Sequence, residues 1–299
     1  MNLNDIILAI EKNKISLIVA LVYIIFAPII GGLLAGIDRI ITARMQNRVG
    51  PPLLQPFYDV FKLFSKKTMW INRFQGPFVF CHLIFMICTG ALFFEGRDIL
   101  LIIFMLSVAS IFFILAAYCT SSPFSIIGAE RELLLIMAYE PMILIMLVGF
   151  YKVVGSFKFY EIILSGKHLI LYLPGVFLGF LYVLTIKFRK SPFDLSYSHH
   201  AHQEITKGIT TDLSAKSLAV IEISHWYENV FLFGLIFIFF SSFNWILAII
   251  ITLFVYFFEI LIDNTYARVK WEWVLKSSWA VALIAGGGNI ILLYLLNIK

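Results

Sequence analysis

Charge is scarce in this chain. Lys, Arg, Asp and Glu make up 14% of its 299 residues, where a soluble domain carries about 25%. With 61% hydrophobic residues and a mean hydropathy of +0.93, no soluble fold of this length has enough polar surface to cover its apolar content. Most of the chain is solvated by lipid. Cysteine is equally sparse: Cys81, Cys88 and Cys119 lie in or at the end of apolar runs, and no C-x-x-C pair occurs, so iron–sulfur or zinc ligation has no support. They read as small buried apolar residues. The apolar runs also lack the alternation that a transmembrane β-barrel requires. The formal charge of +5 is no nucleic-acid footprint, because the placement of the charges matters more than their sum.

What is present is a series of apolar runs long enough to span a membrane, which takes about 20 residues each. The chain reads as an all-α, polytopic integral membrane protein, a single membrane domain over 1–299. About eight transmembrane helices are expected near 15–37, 77–94, 99–118, 133–154, 169–186, 218–240, 245–262 and 279–296. Asp5, Glu11 and the absence of a small-residue cleavage site predict that the first run is retained. Sixteen Lys and Arg fall in the segments after odd-numbered spans and seven on the other side. That bias predicts cytoplasmic odd loops and both termini outside. Within the first inner loop, Leu53, Phe57, Val60, Phe61 and Phe64 recur at helical spacing opposite Gln55, Asp59, Lys62 and Lys66. This predicts an interfacial amphipathic helix near 53–67.

Acids inside such runs are costly unless paired, hydrated or protonated. Glu140 lies about 10 Å into the fourth span, and Pro141 removes a helical donor beside it. The pair suits a water-lined path, or alternatively a structural ion pair with an inner arginine such as Arg131. In the sixth span Glu222, His225 and Glu228 recur every three residues, within reach of one another. Glu228 would lie roughly 16 Å from the inner end. A carboxylate–imidazole–carboxylate ladder can relay protons; the alternative is a polar cluster that glues helices. Glu259 and Asp263 stand one turn apart in the seventh span, with Asp263 expected in water at a solvated helix end. Glu130 and Glu132 flank Arg131 at the expected mouth of the fourth span, which an ordinary solvated helix start also explains. His199, His200 and His202, with Glu204 nearby, invite either a metal reading or a proton-moving loop. Gly286, Gly287 and Gly288 allow close helix contact or local unwinding.

Four ordered motifs carry a family resemblance. RMQNRVGPPLLQPFYDVFKLF (Arg44 to Phe64), AYEP (Ala138 to Pro141), SPFDL (Ser191 to Leu195) and NTYARVKW (Asn264 to Trp271) resemble the subunit that joins membrane and hydrophilic arms in respiratory complex I and in membrane-bound NiFe hydrogenases. Quinone-reducing members carry an acidic stretch after F-D-L. Here the stretch is SYSHHAHQEITKG, about three residues longer; it keeps Glu204 and Gly208 and replaces the other acids with His199, His200 and His202. That resembles the Ech-type energy-converting hydrogenases.

The resemblance implies a membrane-anchoring, ion-path subunit in the cell membrane of a prokaryote. Its complex would carry electrons from ferredoxin to proton reduction. No cofactor is expected in this chain, while a NiFe centre and 4Fe-4S clusters are expected in partners. The implied partners are hydrogenase large and small subunits on the cytoplasmic side and an antiporter-like membrane subunit. Glu140, Glu204, Asp212, Glu222, His225, Glu228 and Glu259 are the implied ion path. Arg44, Arg48, Asp59, Glu130, Arg131, Glu132, Asp194 and the three histidines are the implied docking surface and cytoplasmic chamber, headgroup binding being the rival role for the arginines. A quinone-site subunit of a complex I-type dehydrogenase, a free-standing transporter and a passive anchor remain alternatives.

Overall fold

The computed structural model describes residues 3–69, 72–196 and 207–296, with side chains from residue 16 onward. Its helices are α1 (Leu3–Met45), α2 (Gln55–Ser65), α3 (Gln75–Glu95), α4 (Ile99–Tyr118), α5 (Pro123–Val154), α6 (Phe159–Leu164), α7 (Leu169–Tyr172), α8 (Pro174–Lys187), α9 (Ala215–Phe240), α10 (Trp245–Thr265) and α11 (Trp271–Val281). A π-helical stretch, Ala282–Gly287, joins α11 to α12 (Gly288–Leu295). Among the described residues seven helices are long and apolar enough to cross a membrane: α1 from Ser16, α3, α4, α5, α9, α10 and the rod Trp271–Leu295.

The eighth expected span, 169–186, is not one helix. It divides at Leu173 into the four-residue α7 and the fourteen-residue α8, because Pro174 has no N–H to continue the ladder. Asn289 of α12 covers the start of α8, its Oδ1 accepting from Gly175 N at 2.8 Å and Val176 N at 3.2 Å. At 1.5 Å per residue α8 is roughly 21 Å long, short of the ~30 Å hydrocarbon layer. Its basic end is therefore enclosed by protein: Lys187 and Lys190 are both buried.

The interior is organised around α9, which packs against α1, α2, α3 and α10. Contact with α1 is close enough that a Cβ on Gly31 would stand 2.5 Å from Trp226 O. Two reciprocal bonds lock the pair, Tyr23 Oη donating to Tyr227 O (3.2 Å) and Tyr227 Oη to Ile24 O (2.7 Å). The amphipathic helix forms as expected, with the Phe57 ring tilted against Trp226 of α9 at 5.1 Å between ring centres and Phe61 and Phe64 exposed.

Two boundaries differ from the hydropathy reading in ways that matter. Helix α5 starts at Pro123 rather than near 133, since a proline in the first turn is pre-set for helix whatever the following hydropathy. Glu130, Arg131 and Glu132 therefore sit inside a helix, not at its mouth. Around the triple glycine both options hold: a Cβ on Gly286 would come within 2.8 Å of Ile145, and the backbone unwinds into the π stretch.

Candidate functional site: a buried charge cluster at the end of α8

The segment that leaves α8 builds the site. Arg189 N donates to Ile186 O (3.0 Å) and Lys190 N to Thr185 O (3.1 Å), the paired bonds of a helix-ending Schellman motif. The left-handed residue of that motif is usually glycine; here it is Arg189, at φ +53°. A side chain in that conformation carries a local cost of about 1 kcal/mol or more. The turn it makes sends consecutive cations to different partners.

Lys187 and Arg189 face inward between α5 and α9. Lys187 Nζ lies 2.8 Å from Glu228 Oε1 and 3.2 Å from Tyr139 Oη. Arg189 Nη2 donates to Glu132 Oε1 at 3.1 Å, and Nη1 stands 3.7 Å from Glu228 Oε2. Ser196 Oγ donates to the other oxygen of Glu132. Arg189 Nη1 also lies 2.7 Å from His225 Nδ1. A guanidinium has only donors, so the ring nitrogen facing it accepts. Burial opposes the charge on Arg189, but Glu132 and Glu228 outweigh it and hold the guanidinium above its ordinary value. Two cations thus meet two carboxylates. Both acids have counter-cations, and the energetic logic is that of a buried ion network.

Lys190 turns the other way, onto Asp38 of α1 and, at 3.2 Å, Asp263 of α10. Asp263 also accepts from Ser191 N at 2.8 Å. Its expected solvated position is therefore wrong, because α8 ends inside the protein and brings a lysine to it. One turn away, Glu259 is 1% exposed and its Oε2 has no hydrogen-bond partner among the described residues. Beyond Lys190, Asp194 accepts from Arg268 Nε (2.9 Å) and Nη2 (2.5 Å), so SPFDL is fastened to NTYARVKW.

From Tyr139 the polar groups continue outward. Tyr139 Oη is 3.5 Å from Ser110 Oγ, and one turn along α4 Ser107 Oγ donates to Glu140 at 2.7 Å. Glu140 is half-buried, and its hydrogen-bond partner is Ser107 rather than Arg131, whose Nη1 instead donates to Leu195 O at 3.3 Å.

The structure brings Glu132, His225 and Glu228 together, with His225 Nδ1 3.6 Å from Glu228 Oε2 and Glu222 within electrostatic reach of His225. It does not unite the rest. Glu130, Arg131, Arg44 and Arg48 are exposed, and Arg48 donates to Gln46. Asp59 is committed to Arg39 at 2.5 Å. The Asp212 backbone carbonyl accepts from Gln75 (3.3 Å). His199, His200, His202 and Glu204 lie outside the described residues. Sequence reasoning missed Asp38, Tyr139, Lys187, Arg189, Lys190 and Arg268, since K-F-R-K after an apolar run looks like an ordinary basic flank. It also missed His82, buried in α3 with Nδ1 donating to Ala109 O at 2.8 Å and its ring 6.4 Å from that of His225.

A family model described as NADH dehydrogenase matches residues 17–294. Formate hydrogenlyase subunit 4 of Escherichia coli (strain K12) is 31% identical over 223 residues, 69% of this chain and 70% of that protein. An NADH-quinone oxidoreductase subunit of Helicobacter acinonychis (strain Sheeba) is 26% identical over 93% of this chain and 96% of its own length. A chain in the solved structure of the membrane-bound sulfane sulfur reductase, an archaeal respiratory membrane complex, shares the fold with a TM-score of 0.82 at 23% identity, covering 93% of this chain and 99% of that one. With the family model matched over 17–294, this chain belongs to the NADH dehydrogenase family, as a membrane subunit of the complex I-like type.

Proposed function

We propose that this chain is the membrane-anchoring, ion-translocating subunit of a ferredoxin-dependent, proton-reducing NiFe hydrogenase complex. The observation that carries the reading is the buried network Glu132–Arg189–His225–Glu228–Lys187–Tyr139, enclosed by spanning helices and fed from the loop that holds SPFDL. A buried ion network is expensive to assemble and can be replaced by apolar packing at little loss of stability; its retention is explained when the charges move. The hydrogenase branch is supported by the similarity to formate hydrogenlyase subunit 4 and by the histidines that replace acids after F-D-L.

In this reading the NiFe centre and iron–sulfur clusters belong to large and small subunits docked on the cytoplasmic side. An antiporter-like subunit lies alongside in the membrane, and, with α7 and α8 together carrying the chain across between α5 and α9, both termini are extracytoplasmic. Electron arrival next to the loop changes its charge. A proton taken up by Glu132 or Glu228 removes the counter-charge of Arg189 or Lys187, and the displaced charge passes toward Tyr139, Ser110, Ser107 and Glu140.

The test is ion movement into inverted vesicles driven by reduced ferredoxin. Glu140→Gln and Glu222→Gln should abolish pumping and leave hydrogen evolution in the presence of an uncoupler largely intact. Unchanged pumping in both would leave only an anchor, and stoichiometric quinone in the purified complex would move the chain to the quinone-reducing branch.

A further inference from the structure

A cavity of about 570 Å³ opens where α2 ends and α9 begins, lined by Phe64, Ser65, Lys66, Lys67, Thr68 and Lys216. Among the described residues that line it, three are lysines and none is acidic. No ion pair engages any of the three among the described residues. Thr68 Oγ1 is buried and has no hydrogen-bond partner among the described residues. The seam between the two helices is fixed by Ser214, whose Oγ accepts from Met69 N (3.1 Å) and donates to Met69 O (3.0 Å). Ser214 therefore makes no side-chain cap for α9, and the positive end of that 26-residue helix begins beside Lys216 at the cavity wall. Lysines and a helix start both favour an anion, and phosphate satisfies both.

The surroundings decide which phosphate. Helix α2 is amphipathic, and its outward apolar residues Phe61 (68% exposed) and Phe64 (40%) continue onto Met69 (77%) beside the cavity. A free anion has no use for that apolar rim, whereas acyl chains do.

We propose that this cavity is a binding site for the phosphodiester headgroup of an anionic phospholipid. Lys66, Lys67 and Lys216 hold the phosphate, and the acyl chains run over Phe61, Phe64 and Met69. The lipid clamps the interfacial helix to the first turn of α9, the helix that carries His225 and Glu228.

The test is native mass spectrometry of the full chain in detergent, titrated with phosphatidylglycerol, phosphatidylcholine or inorganic phosphate. Phosphatidylglycerol should be retained in preference to phosphatidylcholine. Each Lys→Gln change should weaken its retention roughly fivefold, at about 1 kcal/mol per lysine, while Lys66→Arg/Lys67→Arg/Lys216→Arg keeps the preference. Where the triple Gln variant does not purify, the single variants carry the same expectation. Equal retention of both lipids, a preference that survives the triple Gln change, or tight inorganic phosphate without lipid overturns the proposal. So does a triple Gln variant that keeps its lipid but loses its soluble partner subunits on purification, which would assign the lysines to protein docking.

Discussion

Lys187 Nζ sits 2.8 Å from Glu228 Oε1, with the two side chains 4% and 3% exposed, about 20 Å along α9 from its first residue. The pair exists because α8 is too short to deliver its basic end to water. Removing one partner leaves an uncompensated buried charge, whereas removing both leaves an apolar contact. Lys187→Met should therefore destabilise by about 3–5 kcal/mol, and the Lys187→Met/Glu228→Leu double variant should recover most of that. Thermal loss of monodisperse protein in detergent, arranged as a double-mutant cycle, measures it. An additive double variant would mean the two charges do not depend on each other.

Arg189 combines a strained backbone with a forked side chain. Arg189→Gly frees the left-handed turn but loses the fork; Arg189→Ala loses the fork and keeps the strain. The glycine variant should be more stable than the alanine variant by about 1 kcal/mol, and both should fail in ion pumping. Equal stability of the two would show that the turn is not strained.

Lys190 supplies a pH signature. Burial favours the neutral amine, but Asp38 and Asp263 outweigh it and hold Lys190 above its ordinary value. A group raised on folding contributes fully below its unfolded value, about 10.4 for lysine, and loses that contribution as pH rises through the folded value. The stability gap between wild type and Lys190→Met should stay flat from neutral to about pH 10 and close above it. A gap that stays as wide well above that range would contradict this assignment.

Gly128 lets the loop after SPFDL reach α5. A Cβ there would stand 2.2 Å from Ile209 N, and Ile209 N in turn donates to Ser196 O at 3.0 Å, next to the hydroxyl that binds Glu132. Gly128→Ala should cost about 1–3 kcal/mol through overpacking and reduce pumping more than it reduces binding of the soluble subunits. Wild-type pumping in a variant of normal abundance would show that the loop's seat on α5 is dispensable.

Glu259 has no hydrogen bond to lose at Oε2 among the described residues. Glu259→Leu should leave stability unchanged or raise it by about 1 kcal/mol, and should impair ion movement if the carboxyl takes part in it. A loss of several kcal/mol would reveal a partner among residues outside those described.

The sequence by itself determined that this is a helical membrane protein, where most spans lie, that α2 is amphipathic, and that Glu222, His225 and Glu228 share a helix side. Composition and the 3.6-residue period carry that information locally. Its motifs also led to the family. What it could not determine was the fate of the cations. Lys187, Arg189 and Lys190 have the same local signature as the exposed Lys66 and Lys67, a basic cluster after an apolar stretch. Only the tertiary structure decided otherwise: Pro174 shortens α8, the Schellman turn at Arg189 divides the three cations between two sides, and α1, α5, α9 and α10, remote in sequence, close carboxylates around them. Burial of charge is a property of the neighbours a residue meets, and those neighbours come from packing rather than from the residues beside it in the chain.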